Sequence, residues 1–139
     1  MHANWIIMSD EIRTIIRTPE FDQFFFSLSP RVQDKFKYVI DVVIKVYNIP
    51  AKFVKHLQNT DLYELRVSVG SNEYRTILFA IDNSSIIEST RIILLNGFLK
   101  KDNKDYKKQI DKAENILNRL LWDKLTKKNY HNYPRLINY

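Results

Sequence analysis

Apolar positions along the chain change period several times, and each period predicts an element. Over residues 11–18, Ile12, Thr14 and Ile16 alternate with Arg13, Ile15 and Arg17 until Pro19 stops them, a first strand. Thr18 is placed to cap the next element. Phe21, Phe24, Phe25 and Leu28 then recur at helical spacing, a short helix over 19–28. Ser29-Pro30 opens a longer one, with Ser at the N-cap and Pro at the first helical position. Its stripe of Val32, Phe36, Val39, Ile40, Val43 and Val46 or Tyr47 runs until Asn48 and Pro50 end it.

From Leu62 the period drops to two, with Tyr63, Leu65, Val67 and Val69 on one face and Glu64, Arg66 and Ser68 on the other. Gly70-Ser71-Asn72 reads as a turn, and residues 73–81 as a strand apolar on both faces and therefore central. After a second turn at 82–85, residues 86–87 and 91–95 form one strand or two, interrupted around Ser89-Thr90. Asp105 is expected to cap a last helix with the stripe Ile110, Ala113, Leu117, Leu120, Leu121 and Leu125. The order β-α-α-β-β-β-α predicts an α+β fold, a sheet with helices on one side. With no repeat, linker or low-complexity tract, one domain is expected over 11–128, between an extension at 1–10 and a tail at 129–139.

Composition adds exclusions. The chain has 139 residues, 45% hydrophobic and 27% charged, with 8 Phe, 8 Tyr and 2 Trp, enough for a packed core. It has no Cys, which removes thiolate metal sites, disulfides and a cysteine nucleophile, and the three histidines make a histidine metal site unexpected. No metal or cofactor is expected. No apolar run reaches membrane-spanning length, and residues 1–8 lack a basic leader, so cytoplasm is the expected location and no membrane partner is foreseen. Met8 is a second candidate start.

The charge of +6 is unevenly placed: residues 1–99 hold 11 basic and 11 acidic side chains, residues 100–139 hold 11 and 5. Such an excess suits a phosphate polyanion, though a lysine-rich solvated helix face explains it as well. Walker, Rossmann, nucleophile-elbow and zinc-protease motifs are absent. The remaining chemistry is basic and aromatic: Arg66, Tyr74, Arg75, Lys100, Lys101, Tyr106, Lys107 and Lys108. A hairpin would bring Arg66 and Arg75 together as two forks for one phosphate, with Lys100 and Lys101 converging from the next strand. The plainer reading pairs Arg66 with Glu64 and Arg75 with Glu73. Tyr106 and Tyr74 could stack bases, Tyr63 fits the core better, and His56 is a loop histidine able to act as acid or base.

Leu62-Tyr63-Glu64-Leu65-Arg66, Tyr74-Arg75, Leu94 through Lys101 (LLNGFLKK), Lys104 and Ile110-x-x-Ala113 together resemble the RelE/ParE superfamily of toxins, in its HigB-like, phage-derived branch. The likeness covers residues 11–118 and is strongest over 62–113. It implies a RelE-like fold: two N-terminal helices packed on a small, largely antiparallel twisted sheet of about four strands, with a C-terminal helix. It also implies a toxin of a type II toxin–antitoxin system, a metal-independent, ribosome-dependent mRNA endonuclease (mRNA interferase) that turns the ribose 2′-OH on the adjacent phosphate. A cognate antitoxin, expected to be of helix-turn-helix type, would hold it inactive. Carried over, the resemblance makes Arg66, Arg75 and Lys101 catalytic and Lys100, Tyr106, Lys104, Lys108, Tyr74 and Asn96 RNA-binding.

The departures have physical content. Asn96 stands where the family often has His and cannot exchange a proton. Asp105-Tyr106 replaces a Thr-Pro pair, Gln109 replaces a Glu, and residues 84–90 lengthen a turn. Trp122, Tyr130, Tyr133 and Tyr139 have no counterpart and form either an antitoxin contact or a disordered end. Two other readings share the scaffold: a noncatalytic ParE-like toxin that poisons gyrase, and a degenerate relative that binds RNA without cutting it.

Overall fold

The computed structural model describes residues 11–127 and 137–138, with side chains to residue 123. Strand β1 (Thr14–Arg17) leads into helices α1 (Pro19–Phe26) and α2 (Pro30–Lys45), then strands β2 (Val54–His56), β3 (Leu62–Val69), β4 (Asn72–Ala80) and β5 (Arg91–Leu99), helix α3 (Asn103–Lys127) and the short strand β6 (Ile137–Asn138). The strands form one sheet in the order β2-β3-β4-β5-β1-β6, with β1 parallel to β5 and every other pair antiparallel.

Local chemistry sets the boundaries. Thr18 Oγ1 accepts from Phe21 N–H and Ser29 Oγ from Val32 N–H, and each cap is followed by Pro where no amide donor is needed. Gly70 has φ +62° in the two-residue link between Val69 and Asn72, the single positive-φ position a II′ hairpin turn requires.

The sheet is buried on both faces, which corrects the expectation of helices on one side. Phe21, Phe25, Phe36, Val39 and Ile40 of α1 and α2 pack on Leu65, Val67, Leu78 and Leu94. Ala113, Ile116 and Leu120 of α3 pack on Leu62, Ile77, Ile93 and Leu95 of the opposite face. The chain passes the sheet after β5, so the last helix lands on the uncovered side.

Several boundaries also move. Two short edge strands, β2 and β6, enlarge the expected four-stranded sheet to six; at three and two residues neither is long enough to show a period. Ile86 and Ile87 belong to the loop before β5 rather than to a strand. The irregularity lies further on. Ile77 pairs with Asn96 but Leu78 with Leu94, so Leu95 is the extra residue of a bulge. Asp102, not Asp105, caps α3: its carboxylate accepts from Asp105 N–H at 2.7 Å. Tyr130, Tyr133 and Tyr139 lie outside the described residues.

Arg13, which the alternation groups with Ile15 and Arg17, is 3% exposed. Its guanidinium donates to six carbonyls, those of Val43, Val46 and Tyr47 at the end of α2 and of Ile86, Ile87 and Ser89 in the 81–90 loop. Burial draws its pKa below the ordinary value while Tyr47 and Glu88 push it back up. The cation sits where the α2 dipole is negative and satisfies carbonyls that would otherwise be orphaned.

Candidate functional site

Strand register builds the site. Arg66 lies directly opposite Arg75, and Arg75 opposite Phe98, so β3, β4 and β5 contribute one row on the α3 face. Glu64, Ile77 and Asn96 form the row on one side. Ser68 and Glu73 form the row on the other, where Lys100 N–H donates to Glu73 O at 2.8 Å. Helix α3 starts over Phe98, its Tyr106 ring 5.7 Å from the Phe98 ring.

The two arginines come together as the hairpin predicted, and the plainer reading of their partners also holds. Glu64, itself 3% exposed, takes Arg66 Nε at 3.1 Å on one oxygen and faces Arg75 Nε at 3.7 Å with the other. The second distance is a charge contact too long for a hydrogen bond. Glu73 holds Arg75 Nη1 at 3.3 Å and accepts from Ser68 Oγ at 2.7 Å. The Ser68 hydrogen bond, then Arg75 and Arg66, hold the Glu73 carboxyl below the usual carboxylate range against desolvation. Ser68 was not among the residues expected here, and its place beside Glu64 and Arg66 in the period-two pattern is the signal that finds it.

Burial separates the pair. The Arg75 side chain is 4% exposed and closed in by Glu64, Glu73 and its own strand, Nη1 also donating to Tyr74 O. The Arg66 side chain is 31% exposed and engages Glu64 through Nε alone. Lys100 stands exposed at the rim, its ammonium 5.7 Å from the Tyr106 ring centre, within cation–π reach. Lys101 and Lys104 come next, both exposed, the first between β5 and α3 and the second in the first turn of α3. Since two carboxylates balance the two guanidiniums, the positive excess of this face comes from the lysines.

A family model described as "Phage derived protein Gp49-like (DUF891)" matches residues 23–118. The chain belongs to that family. The RelE-type resemblance carried by the LYELR, YR and NGFLKK strings is borne out with it. No curated protein matches the sequence. The fold is similar to a free-state structure of E. coli toxin RelE in which two arginines are replaced by alanine, with TM-score 0.52 and 16% identity over 72% of this chain and 96% of that one. At that identity the likeness concerns the fold.

Of the expected site residues of this Gp49-like chain, three lie away from the arginine row and Asn96 is buried beside it. Tyr74 is 8% exposed on the opposite face, its ring 6.1 Å from Phe36, because neighbours in a strand point to opposite sides. Asn96 is 1% exposed beneath α3, its amide donating at 3.2 Å to both the main-chain and side-chain oxygens of Gln109. Lys108 lines a different cleft, between α3 and the start of α1, where Arg119 and Glu20 pair at 2.9 Å. His56 belongs to β2, not a loop, and packs against Tyr63 on the face away from Arg66. No helix among the described residues is long and apolar enough to cross a membrane.

Proposed function

We propose that the chain is a toxin of the RelE type that cuts mRNA in the cytoplasm, on the ribosome, and is held in check by a cognate antitoxin. The observation that carries this reading is the cross-strand Arg66–Arg75 pair, one member half-exposed and the other locked behind it, on the face bordered by Lys100 and Tyr106. In the reaction the ribose 2′-OH attacks the adjacent phosphorus, the P–O5′ bond breaks, and a cyclic phosphate and a 5′-OH result.

Arg66 is the phosphate contact: with Nε on Glu64, its terminal amino groups meet charge as it builds on the phosphorane oxygens. Arg75 is a positioning residue, keeping Glu64 and through it Arg66 in place. Lys101 is the second transition-state cation, and Lys100 and Lys104 hold the flanking backbone. Tyr106 stacks a base. Glu64, Lys100 and Tyr106 are candidates on this face to move the two protons. An acidic surface on a helix-turn-helix antitoxin would suit the lysine rim.

Asn96, buried and committed to Gln109, favours a second reading in which the fold binds gyrase or RNA and cuts nothing. Induced expression of the wild type beside an Arg66→Ala, Arg75→Ala variant separates them, reading growth and mapping mRNA 5′ ends. Growth arrest with new 5′-OH ends in the wild type alone supports the nuclease, and arrest without new ends supports the second reading. Co-expression of the cognate antitoxin should restore growth in either case.

A further inference from the structure

Away from the arginine row, a cleft of about 490 Å³ runs between α2 and the tip of the β3–β4 hairpin. Arg31, Lys35 and Tyr38 line its helix side, spaced i, i+4 and i+7 on one stripe, and Ser68, Val69 and Gly70 line its hairpin side. Asp34 is its acidic wall residue. Tyr38 is 55% exposed, so its ring is open to a partner. Phe53 holds the ring edge-on at 5.9 Å, Lys35 lies 5.4 Å from its centre, and Lys52 lies 5.0 Å from the centre of Phe53. Two cations and a supported, open aromatic face thus share one cleft, with Lys52 behind Phe53.

Two features decide what such a surface takes. The balance of Arg31 and Lys35 against Asp34 favours an anion, and the open ring a flat partner, a combination that single-stranded nucleic acid supplies at every residue. The cleft opens on the opposite side of the sheet from the proposed site and approaches it at the hairpin edge. Its wall residue Ser68 donates to Glu73, which holds Arg75, so a strand lying on Arg66 reaches Tyr38 by passing around the hairpin edge. Beyond Arg66, which still donates its N–H to Phe53 O, β2 no longer pairs with β3, and that edge is left uncovered by the sheet.

We infer that the cleft between α2 and the hairpin tip is a second single-stranded RNA subsite, with Tyr38 stacking a base and Arg31 and Lys35 holding the phosphates beside it. It receives the RNA flanking the bond cut at Arg66, and so rests on the RNA-cleaving reading. The Lys35–Tyr38 contact is exposed and worth only about 0.5–1 kcal/mol, so an arriving base displaces it readily. Because the subsite reads stacking and charge, it adds affinity and a fixed path for the strand rather than base identity.

The test measures binding of a short labelled single-stranded RNA, 2′-O-methylated so that no 2′-OH can attack, by fluorescence anisotropy across a salt series. Tyr38→Ala should weaken binding on the order of tenfold or more, the loss of one stacked base, while Tyr38→Phe keeps wild-type affinity. Arg31→Gln with Lys35→Gln should lower the log–log salt slope by about 1.4. All four substitutions are at exposed positions, and unchanged unfolding midpoints would show that the fold is intact. Wild-type binding by Tyr38→Ala and by the Arg31, Lys35 pair, with loss in Arg66→Ala, overturns the subsite and leaves the nuclease reading standing. No RNA binding by the wild type overturns the nuclease reading and the subsite with it. Loss of a polyglutamate peptide but not of RNA in these variants overturns the subsite in favour of an acidic protein partner.

Discussion

Arg66 and Arg75 are chemically the same and sit face to face, yet burial gives them different work. Removing Arg66 takes a half-exposed fork from the proposed phosphate position. Arg66→Ala should therefore lose on the order of a hundredfold in cleavage rate while leaving most of the stability in place. Removing Arg75 strips a buried partner from Glu64 and should cost about 3 kcal/mol in urea unfolding. In a Glu64→Gln background the Arg75→Ala cost should shrink, because the stranded charge is gone. Equal stability losses in both backgrounds would show that Glu64 and Arg75 are not coupled. The nearness of the arginines was legible in the sequence from the period of two and the short turn, but their register was not: the link is Gly70-Ser71 alone, one residue shorter than the turn read over 70–72, and that residue decides that Arg66 faces Arg75. Tyr74 misled for a geometric reason. Adjacency in sequence brought it into the group with Arg75, and adjacency along a strand sends it to the other side.

Among the elements, β5 carries the most consequence for the site. The bulge at Leu95 turns Asn96 and Phe98 toward α3 and Gly97 toward α1, the reverse of what unbroken alternation gives. Gly97 then meets the Phe24 ring so closely that an added Cβ would lie 2.2 Å from it. Gly97→Ala should cost about 1–3 kcal/mol through overpacking, and Phe24→Leu should recover part of that in a double-mutant cycle of unfolding free energies. Additive costs would mean that the contact is not what fixes the glycine. No periodicity forecasts a one-residue bulge, so the burial of Asn96, which the resemblance made RNA-binding, was not legible in the pattern.

The added residues before β5 show a related limit. Asp82 gathers Ser89, Thr90 and Arg91 by hydrogen bonds, and those from Ser89 and then Thr90 hold its carboxyl well below the usual carboxylate range. A lowered folded-state pKa means stability that is whole above the unfolded value of 3.8 and lost as pH falls through the folded one. Glu73 acts in the same direction from its ordinary 4.5. Unfolding followed by denaturant at neutral pH and near pH 3 should show the acid loss, and Asp82→Asn should make it smaller. A loss of the same size in Asp82→Asn would place the acid sensitivity elsewhere. Arg13 closes the opposite side of this loop. Its six carbonyl partners come from segments far apart in sequence, so its role as a bolt was invisible to local patterning.

Over the whole molecule, the uneven charge acquires a position. The 1–99 portion is balanced, and its central arginines are matched by Glu64 and Glu73, so attraction at a distance falls to the lysines that come after β5. Lys100, Lys101 and Lys104 border the arginine row where α3 begins, and the positive end of that helix adds to them. A molecule arranged this way draws a polyanion to the rim before the buried chemistry engages it. Replacing the three lysines with Gln should lower the salt slope for single-stranded RNA by about 2. Because none of the three helps to pack the core, the unfolding free energy should stay within about 0.5 kcal/mol of the wild type. Arg66→Ala, by contrast, should remove about 0.7 from the slope and far more from the cleavage rate. If the triple lysine variant keeps the wild-type slope, the excess charge of the last forty or so residues serves another surface, and the antitoxin becomes the partner it was placed to meet.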